Sequence, residues 1–242
     1  MKLRFLVAAI MLLAAIVSVG AYSDYSFTAT AKINADGTAS VIEKTIIYFE
    51  NKDERIAFET KMNLGKSTIV DWKGFSDKIK FHFGGLITEQ RITAKKEFTI
   101  GTNYGAIIIE YNAGTPIMQI EKTGSRKFIY TLNQKSLLFD QTQTGDMVLG
   151  NAMLLTFEIP KDATIDKVAP EPDSKDNSRI SWNGPVARRW ELVYERELPL
   201  SEEVGQFFSE TYQEIADSLP LALVLGFSVL LVFVLAKFGK NK

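Results

Sequence analysis

The 242-residue chain contains no cysteine and a single histidine, His82. Without cysteine it has no disulfide, no thiol catalysis, no cysteine-ligated zinc and no iron–sulfur cluster. One histidine cannot build a catalytic triad without partners, and no motif in the sequence supplies them. A folded body of about 200 residues buries enough apolar surface to be stable without disulfides, so their absence is compatible with export from the cell.

Basic residues are not in excess in the body of the chain. All 29 acidic residues lie between Asp24 and Asp217, and the same segment holds 23 of the 28 basic residues, which gives it a net charge of −6. Nucleic-acid binding requires a basic surface that neutralises phosphates, so we predict no nucleic-acid partner. The chain also lacks an Asn-x-Ser/Thr sequon, so no N-glycan is expected.

Two long apolar runs lie at the ends of the chain. Lys2 and Arg4 precede an uncharged run over 5–19, and small residues follow up to Ala21. This order is typical of a signal peptide, so we predict one over 1–21 with cleavage after Ala21; an uncleaved anchor is the alternative. The uncharged run over 219–236 would span about 27 Å as a helix, which predicts a transmembrane helix.

The charge distribution predicts which way this single span faces. Lys237, Lys240 and Lys242 make the tail over 237–242 basic. Positively charged tails stay in the cytoplasm, so the acidic body is expected on the outside. We therefore predict a cell-membrane protein with an extracytoplasmic ectodomain, one membrane span and an internal C-terminus.

The segment between the two apolar runs has the pattern of a mainly β protein. Residues 25–33 alternate apolar and polar, and the Asp-Gly pair at 36–37 favours a hairpin turn into a strand over 41–49. That second strand has apolar residues on both faces, which predicts a central strand with Glu43 and Lys44 as its charged patch. Further short strands recur about every ten residues with turns between them, which is typical of a β-sandwich-like ectodomain.

Four shorter segments carry specific predictions. Over 51–64 we favour a strand, because apolar residues alternate there, although Asp53 could cap a short helix. The pattern at 68–71 matches a capping box and predicts a short helical turn. Alternating apolar residues at 79–83 predict another strand, and 136–140 is predicted to form one helical turn.

A polar stretch at 141–146 suggests a domain boundary. All seven prolines lie at or after Pro116, so the composition changes in the second half of the chain. The ectodomain could therefore be one domain or two modules. In the second case, an N-terminal β-rich module covers 22–145 and a membrane-proximal β module covers 146–199.

An amphipathic helix is predicted over 200–217, between the ectodomain and the membrane span. Four apolar side chains follow one side of it: Phe207, Phe208, Tyr212 and Ile215. This stripe could dock on the chain's own β module or present a membrane-proximal surface to a protein partner. We predict these four residues as interaction residues.

Carboxylates on strands are the main candidates for catalysis. Glu43, Glu59, Glu110 and Glu121 fall on predicted strands. Convergence of two of them on one sheet face would give the carboxylate pair of a glycoside hydrolase. Strand glutamates more often face solvent, so the leading prediction is that the protein is not an enzyme and holds no cofactor.

Two further polar features have both a structural and a functional interpretation. His82 lies between two phenylalanines on the strand predicted over 79–83, so alternation places it on the opposite face, at the surface or an interface; a functional histidine is the alternative. The loop with Glu171, Asp173 and Asp176 could bind Ca²⁺, which prefers clustered oxygens on flexible loops, or could be a solvated turn.

Two stretches resemble a group of uncharacterised prokaryotic, chiefly archaeal-type, surface proteins. The first is Ile-Asn-Ala-Asp-Gly-Thr-Ala-Ser-Val-Ile-Glu at 33–43; the second joins Phe-Glu-Ile-Pro at 157–160, Pro170, Ile-Ser-Trp-Asn-Gly at 180–184 and Val-Tyr at 193–194. Both consist mostly of turn and core residues. The resemblance implies an exported β-rich ectodomain with one C-terminal membrane helix, and it brings no catalytic residues.

The leading prediction is a non-enzymatic cell-envelope protein whose ectodomain is a binding module or an accessory subunit of a membrane complex. The first alternative is an extracytoplasmic hydrolase that uses strand carboxylates. The second is a calcium- or glycan-binding adhesion module. A glycan platform needs exposed aromatic side chains, whereas Trp182 and Trp190 flank one turn and are predicted to pack in a core.

Overall fold

A computed structural model describes residues 23–85, 87, 89–97 and 103–197. The prediction of a mainly β protein is confirmed, with three sheets in this part of the chain. The predicted signal peptide (1–21), amphipathic helix (200–217), membrane span (219–236) and basic tail (237–242) lie outside the described residues. Within the described ranges, no helix combines the length and the apolarity needed to cross a bilayer.

The largest sheet has seven strands. In chain order they are β1 (Ser23–Ile33), β2 (Ala39–Tyr48), β3 (Gln90–Lys96), β4 (Tyr104–Asn112), β8 (Met153–Glu158), β10 (Ser174–Lys175) and β11 (Arg179–Asn183). Their spatial order is β10-β11-β8-β1-β2-β4-β3. All neighbours are antiparallel except β1 and β8, which are parallel.

Six further strands form two smaller sheets. They are β5 (Met118–Lys122), β6 (Lys127–Leu132), β7 (Met147–Leu149), β9 (Ala163–Ala169), β12 (Val186–Arg188) and β13 (Glu191–Glu197). Four of them follow the order β5-β6-β13-β9, and β12 pairs with β7.

The β1–β2 hairpin forms as its sequence predicts. Gly37 has a φ of +78°, which an L-residue with a side chain rarely adopts, and Asp36 accepts hydrogen bonds from the Thr38 backbone and hydroxyl. The apolar side of β1 from Phe27 to Ile33 is buried, as alternation predicts. The same alternation predicts that Tyr25 shares this buried side, but Tyr25 is 57% exposed, so the prediction is wrong at that position.

The segment predicted as a strand over 51–64 is instead helix α1 (Lys52–Asn63). The side chain of Asn51 accepts a hydrogen bond from the Glu54 N–H, which caps the helix, so Asp53 is not the cap. The helix buries Phe58 and leaves Ile56 exposed, whereas a strand would have placed both on one face. The capping box predicted at 68–71 is confirmed and begins the four-residue helix α2 (Ile69–Trp72).

Two other local predictions differ from the structure. Residues 79–83 form no strand; Phe83 makes one isolated bridge to Leu137, and His82 is buried. A short 3₁₀ helix covers Gln134–Ser136, so the helical turn predicted at 136–140 starts earlier and ends before most of that range.

Aromatic side chains fill the core on one face of the seven-stranded sheet, here called the inner face. At one end, Phe58 of α1 contacts Phe49 and Trp72 with ring-centroid distances of 5.1 and 5.2 Å. Farther along, Trp182 of β11 contacts Trp190 at 4.6 Å, as their predicted core role requires. These aromatic side chains cover the inner face. The opposite face of the same strands is called the outer face.

The sheet joins both halves of the sequence. β8 belongs to the module predicted over 146–199, yet it pairs with β1 from Phe27↔Met153 to Lys32↔Glu158. The compact unit that contains this sheet comprises Met1–Glu121 and Ile129–Arg196. The two predicted modules therefore share one sheet.

A second compact unit comprises Lys122–Phe128 and Glu197–Lys242. In its described part, the Thr123 N–H donates to the Lys127 carbonyl at 2.9 Å and closes a turn. The Lys122 ammonium lies 5.7 Å from the centre of the Phe128 ring. Arg126 and Glu197 form an ion pair at 3.7 Å.

Candidate functional site

A buried polar cluster lies on the inner face of the sheet. Glu43 of β2 accepts hydrogen bonds from the His82 backbone N–H at 2.9 Å and from the Tyr111 hydroxyl at 2.5 Å through Oε1. Its Oε2 lies 3.0 Å from Nδ1 of His82. The Tyr111 oxygen in turn accepts a bond from the Phe83 N–H. All three side chains are at most 5% exposed.

The cluster explains how residues 79–83 are held without strand pairing. A buried backbone N–H must find an acceptor, and the N–H groups of His82 and Phe83 find theirs in Glu43 and Tyr111. Burial and the neighbouring Glu43 carboxylate raise the pKa of Tyr111, so its phenol stays protonated and donates. The cluster therefore ties this segment to β2 and β4.

The His82 ring also lines a cleft of about 380 Å³. The ring packs between Phe27 and Phe139, with centroid distances of 4.6 and 4.8 Å. At the cleft, Lys80 donates to Asp140 at 2.9 Å and holds the pKa of that carboxyl below its usual range. His82 is only 2% exposed, so little of its surface is open to the cleft.

The chemistry that this cleft supports is limited. Its described lining residues include three aspartates and two lysines besides His82, but no hydroxyl or thiol side chain. A covalent mechanism of the serine-hydrolase type has no nucleophile among these described lining residues. The prediction that His82 lies at the surface or at an interface is wrong, since its main contacts hold the core together.

The four strand glutamates do not converge. Ile42, not Glu43, lies opposite Glu110 in the β2–β4 register, so the two glutamates point to opposite faces of the sheet. Glu59 lies on α1 and pairs with Lys96 at 2.7 Å. Glu121 lies on β5, in a different sheet. The carboxylate pair of a glycoside hydrolase is therefore not formed by these four residues.

Two of the three carboxylates in the loop proposed for Ca²⁺ accept hydrogen bonds from backbone N–H groups. Asp176 accepts hydrogen bonds from the N–H groups of Ser178 and Arg179, which lower its pKa, and Asp173 accepts one from Asn183. Among the described residues, no group of three or more His, Asp or Glu side chains is arranged to hold a metal ion. Phe207, Phe208, Tyr212 and Ile215, the predicted interaction residues, lie outside the described ranges.

The outer face of the seven-stranded sheet carries an apolar patch that the sequence did not reveal. We call it the outer patch, and it consists of Tyr25, Ile42, Ile46, Tyr48, Tyr104 and Ile108. Residues 42, 46 and 48 share one side of β2, and on β4 Tyr104 lies opposite Tyr48 while Ile108 lies opposite Lys44. Ile42 is 50% exposed and Tyr48 is 37% exposed.

Three tyrosines form one end of the outer patch. The Tyr104 ring lies 4.7 Å from the Tyr25 ring and 5.3 Å from the Tyr48 ring. A bulge in β1 between Asp24 and Ser26 shifts the register there and lets Tyr25 reach across β2 to β4. The cluster is thus built from three strands and keeps aromatic surface open to solvent.

Charged groups lie within and beside the outer patch. Lys44, between Ile42 and Ile46 in the same row of β2, pairs with Glu97 at 2.5 Å, and Arg91 pairs with Glu110 across β3 and β4. A patch of isoleucine and tyrosine interspersed with paired charges has the composition of a protein-binding surface. Sequence reasoning missed it because apolar residues on both faces of a strand were interpreted as burial on both faces.

Neither a protein-family model nor a curated protein matches this chain. Among solved structures, the chain is similar to the folded domain of the LppM protein of Mycobacterium tuberculosis, determined by NMR. The match has 9% sequence identity and a TM-score of 0.31, and it covers 71% of this chain and 88% of that chain. Similarity at this level does not establish a shared fold or function.

Proposed function

We propose that this chain is a single-pass protein of a prokaryotic cell envelope with a sandwich-like extracytoplasmic ectodomain. The ectodomain acts as a non-enzymatic binding module or as an accessory subunit of a membrane complex. Support for the location comes from the sequence, in which an acidic body lies between a signal-like N-terminus and an uncharged run followed by a basic tail.

The outer patch is the observation that carries the binding role. When one face of a sheet is exposed to solvent, the side chains on that face are usually polar, because an apolar side chain exposed to water loses the free energy of burial. Here Ile42, Tyr48 and Tyr25 are exposed on adjacent strands of the same face. Exposed apolar side chains gathered on one face mark an interaction site more often than an accident of packing, and here the three tyrosines form a contiguous cluster.

Affinity purification of the full chain from gently solubilised membranes tests the proposal. The variant Ile42→Ser/Tyr48→Ser should lose a co-purifying envelope protein that the unmodified chain retains. The matched control is Ile56→Ser, which removes an equally exposed isoleucine from α1 (46% against 50% exposed) and should keep the partner. A chain that purifies alone and monomeric, or a partner retained by the double variant, contradicts the proposal.

The tyrosine cluster favours a second candidate, a glycan-binding module. Sugar rings stack on exposed aromatic faces, and Tyr25 offers such a face beside Tyr48 and Tyr104. Titration of envelope polysaccharide into the detergent-solubilised chain, followed by calorimetry, distinguishes the two. Tyr25→Ala should abolish glycan binding while Ile42→Ala leaves it intact, whereas both substitutions should weaken a protein contact.

A further inference from the structure

The two most exposed large apolar side chains among the described residues lie at the connection between helices α1 and α2. We call residues 61–73 the α1–α2 tip. Val70 is 84% exposed and Leu64 is 66% exposed, more than any other large apolar side chain that the structure describes. Neither belongs to the outer patch, so the tip requires its own explanation.

The tip is a well-formed turn and not a frayed helix end. At the end of α1, Lys66 N–H donates to the Lys61 carbonyl and Gly65 N–H donates to the Met62 carbonyl, the two bonds of a Schellman motif. Gly65 has the positive φ, +64°, that the motif needs. The Trp72 indole donates to the Lys66 carbonyl at 3.0 Å and closes the turn onto α2. Leu64 and Val70 are therefore held in their exposed positions.

The charge of the tip is opposite to that of the rest of the body. It contains Lys61, Lys66 and Lys73 but only one acid, Asp71, which gives a net charge of +2. The Asp71 carboxylate accepts bonds from the hydroxyl and the N–H of Thr68, which lower its pKa and commit it to the capping box. The segment from Asp24 to Asp217 as a whole carries −6.

We propose that the α1–α2 tip docks on the anionic surface of the lipid bilayer, with Leu64 and Val70 entering the interface. The inference rests on the proposed membrane anchoring, which keeps the ectodomain close to a bilayer. The Lys61 ammonium donates to the Asp71 carbonyl at 2.6 Å, so Lys66 and Lys73 are the exposed lysines of the tip. Exposed apolar side chains together with these two lysines match the two forces of interfacial binding, burial of apolar surface and attraction to anionic headgroups. Lysine stems also suit this boundary, since they lie along apolar surface while the ammonium stays in water.

The geometry favours a bilayer over a protein partner. A protein interface has a broad patch with a closely packed centre, whereas the tip presents two protruding side chains on a tight turn. A fluid interface accommodates such protrusions without a complementary pocket. The lysines require only anionic headgroups, so no particular arrangement of partner carboxylates is needed.

The absence of native cysteine makes the test direct. Val70→Cys, labelled with the environment-sensitive dye NBD, is placed in the full chain and reconstituted in nanodiscs. One set contains phosphatidylcholine alone and the other equal parts of phosphatidylcholine and phosphatidylglycerol. In the anionic discs we expect blue-shifted NBD emission and quenching by lipids that carry a nitroxide near the headgroup. Leu138→Cys, at an exposed apolar residue on another segment (45%), is the labelling control and should retain the emission of a solvated dye.

The lysines provide the quantitative part of the test. Each lysine near an anionic surface is expected to change the docking equilibrium about fivefold, so Lys66→Gln/Lys73→Gln should lower it about 25-fold. Lys161→Gln/Lys175→Gln, at exposed lysines outside the tip, should leave it unchanged. Equal emission in both disc types, or a blue shift without nitroxide quenching, overturns the proposal; the second result indicates a protein contact. Failure of the proposed membrane anchoring is detected separately from failure of docking, because a chain without an anchor dissociates from the discs in high salt.

Discussion

The inner and outer faces of the seven-stranded sheet are formed by the same strands but differ in how their side chains are buried. On β2, Val41, Thr45 and Ile47 point inward and are buried, while Ile42 and Tyr48 point outward and are exposed. The inner face even buries a carboxylate, because protein donors surround Glu43. Next to it, an isoleucine is half exposed. On β2, burial of a residue therefore depends on what packs against its face of the sheet and not on whether the residue is polar.

This difference separates residues that maintain the fold from residues that are available for binding. Inner-face side chains meet α1, the 79–83 segment and the tryptophans near β11, so changes there should cost stability. Outer-patch side chains contact one another across strands and remain partly exposed, so changes there should cost binding and only about 1 kcal/mol or less of the free energy of unfolding. Paired substitutions across the two faces test this directly.

The largest expected effect follows from removal of the buried carboxylate. Glu43→Ala leaves the His82 N–H, the His82 ring and the Tyr111 hydroxyl without their acceptor in the core. We expect the free energy of unfolding to fall by about 3–5 kcal/mol, because buried polar groups that lose a charged partner retain their desolvation cost. Urea denaturation of the detergent-solubilised chain, followed by tryptophan fluorescence, measures it.

Glu110→Ala is the control on the opposite face. Glu110 pairs with the exposed Arg91, and surface ion pairs contribute at most about 1 kcal/mol. If both variants lose the same stability, the proposed distinction between the two faces of the sheet is wrong.

A second pair of variants tests how tightly the inner face is packed. A Cβ added at Gly105 on β4 would lie 2.7 Å from the Phe49 ring and 2.8 Å from the Phe58 ring. Gly105→Ala should therefore lower the free energy of unfolding by about 1–3 kcal/mol through overpacking. Gly74→Ala, where the added Cβ meets no atom within 4 Å, should be close to neutral. Equal effects at both positions would indicate that the sheet relaxes easily around Gly105.

The third prediction concerns alkaline pH. Burial and Glu43 raise the pKa of Tyr111 above the ordinary value of 10.0, so the folded state favours the neutral phenol. The stability that this group provides is complete below pH 10 and declines as the pH rises, because the unfolded chain releases its proton first. We expect a decline of about 1.4 kcal/mol per pH unit from this residue.

Tyr111→Phe separates this contribution from general alkaline denaturation. At neutral pH it should cost about 1–2 kcal/mol, because Glu43 and the Phe83 N–H lose a partner. Above pH 10 it should decline less steeply than the unmodified chain. Tyr48→Phe, on the outer patch, should show neither change. Parallel declines in all three proteins would contradict the assignment to Tyr111.

Local sequence signals predicted much of the β structure. The Asp-Gly turn at 36–37 and the alternation in β1 from Phe27 to Ile33 depend on neighbouring residues alone, and both are confirmed. The capping box at 68–71 is local too. The helix α1 was missed although Asn51 and Glu54 form a recognisable N-terminal capping pair, because the apolar alternation was given more weight than the cap.

The sites depend on contacts between distant parts of the chain, which sequence patterns do not give. Glu43 and His82 are 39 residues apart, and Glu43 and Tyr111 are 68 apart. Nothing in the local pattern around His82 indicates that a carboxylate will meet it in the core. The outer patch depends likewise on the register of β2 against β4 and on the bulge in β1, both of which are tertiary features.

The smallest effect on stability is expected at the outer patch. Ile42→Ser and Tyr48→Ser should each lower the free energy of unfolding by about 1 kcal/mol or less, because these partly exposed side chains lose only cross-strand contacts when truncated. The double variant should nevertheless lose its partner, whereas the control Ile56→Ser should keep it. A large loss of stability would show that the patch is covered by another part of the protein and belongs to the fold. Stability that is retained while binding is lost would assign these residues to an interface, since folding alone gives no reason to keep isoleucine and tyrosine exposed there.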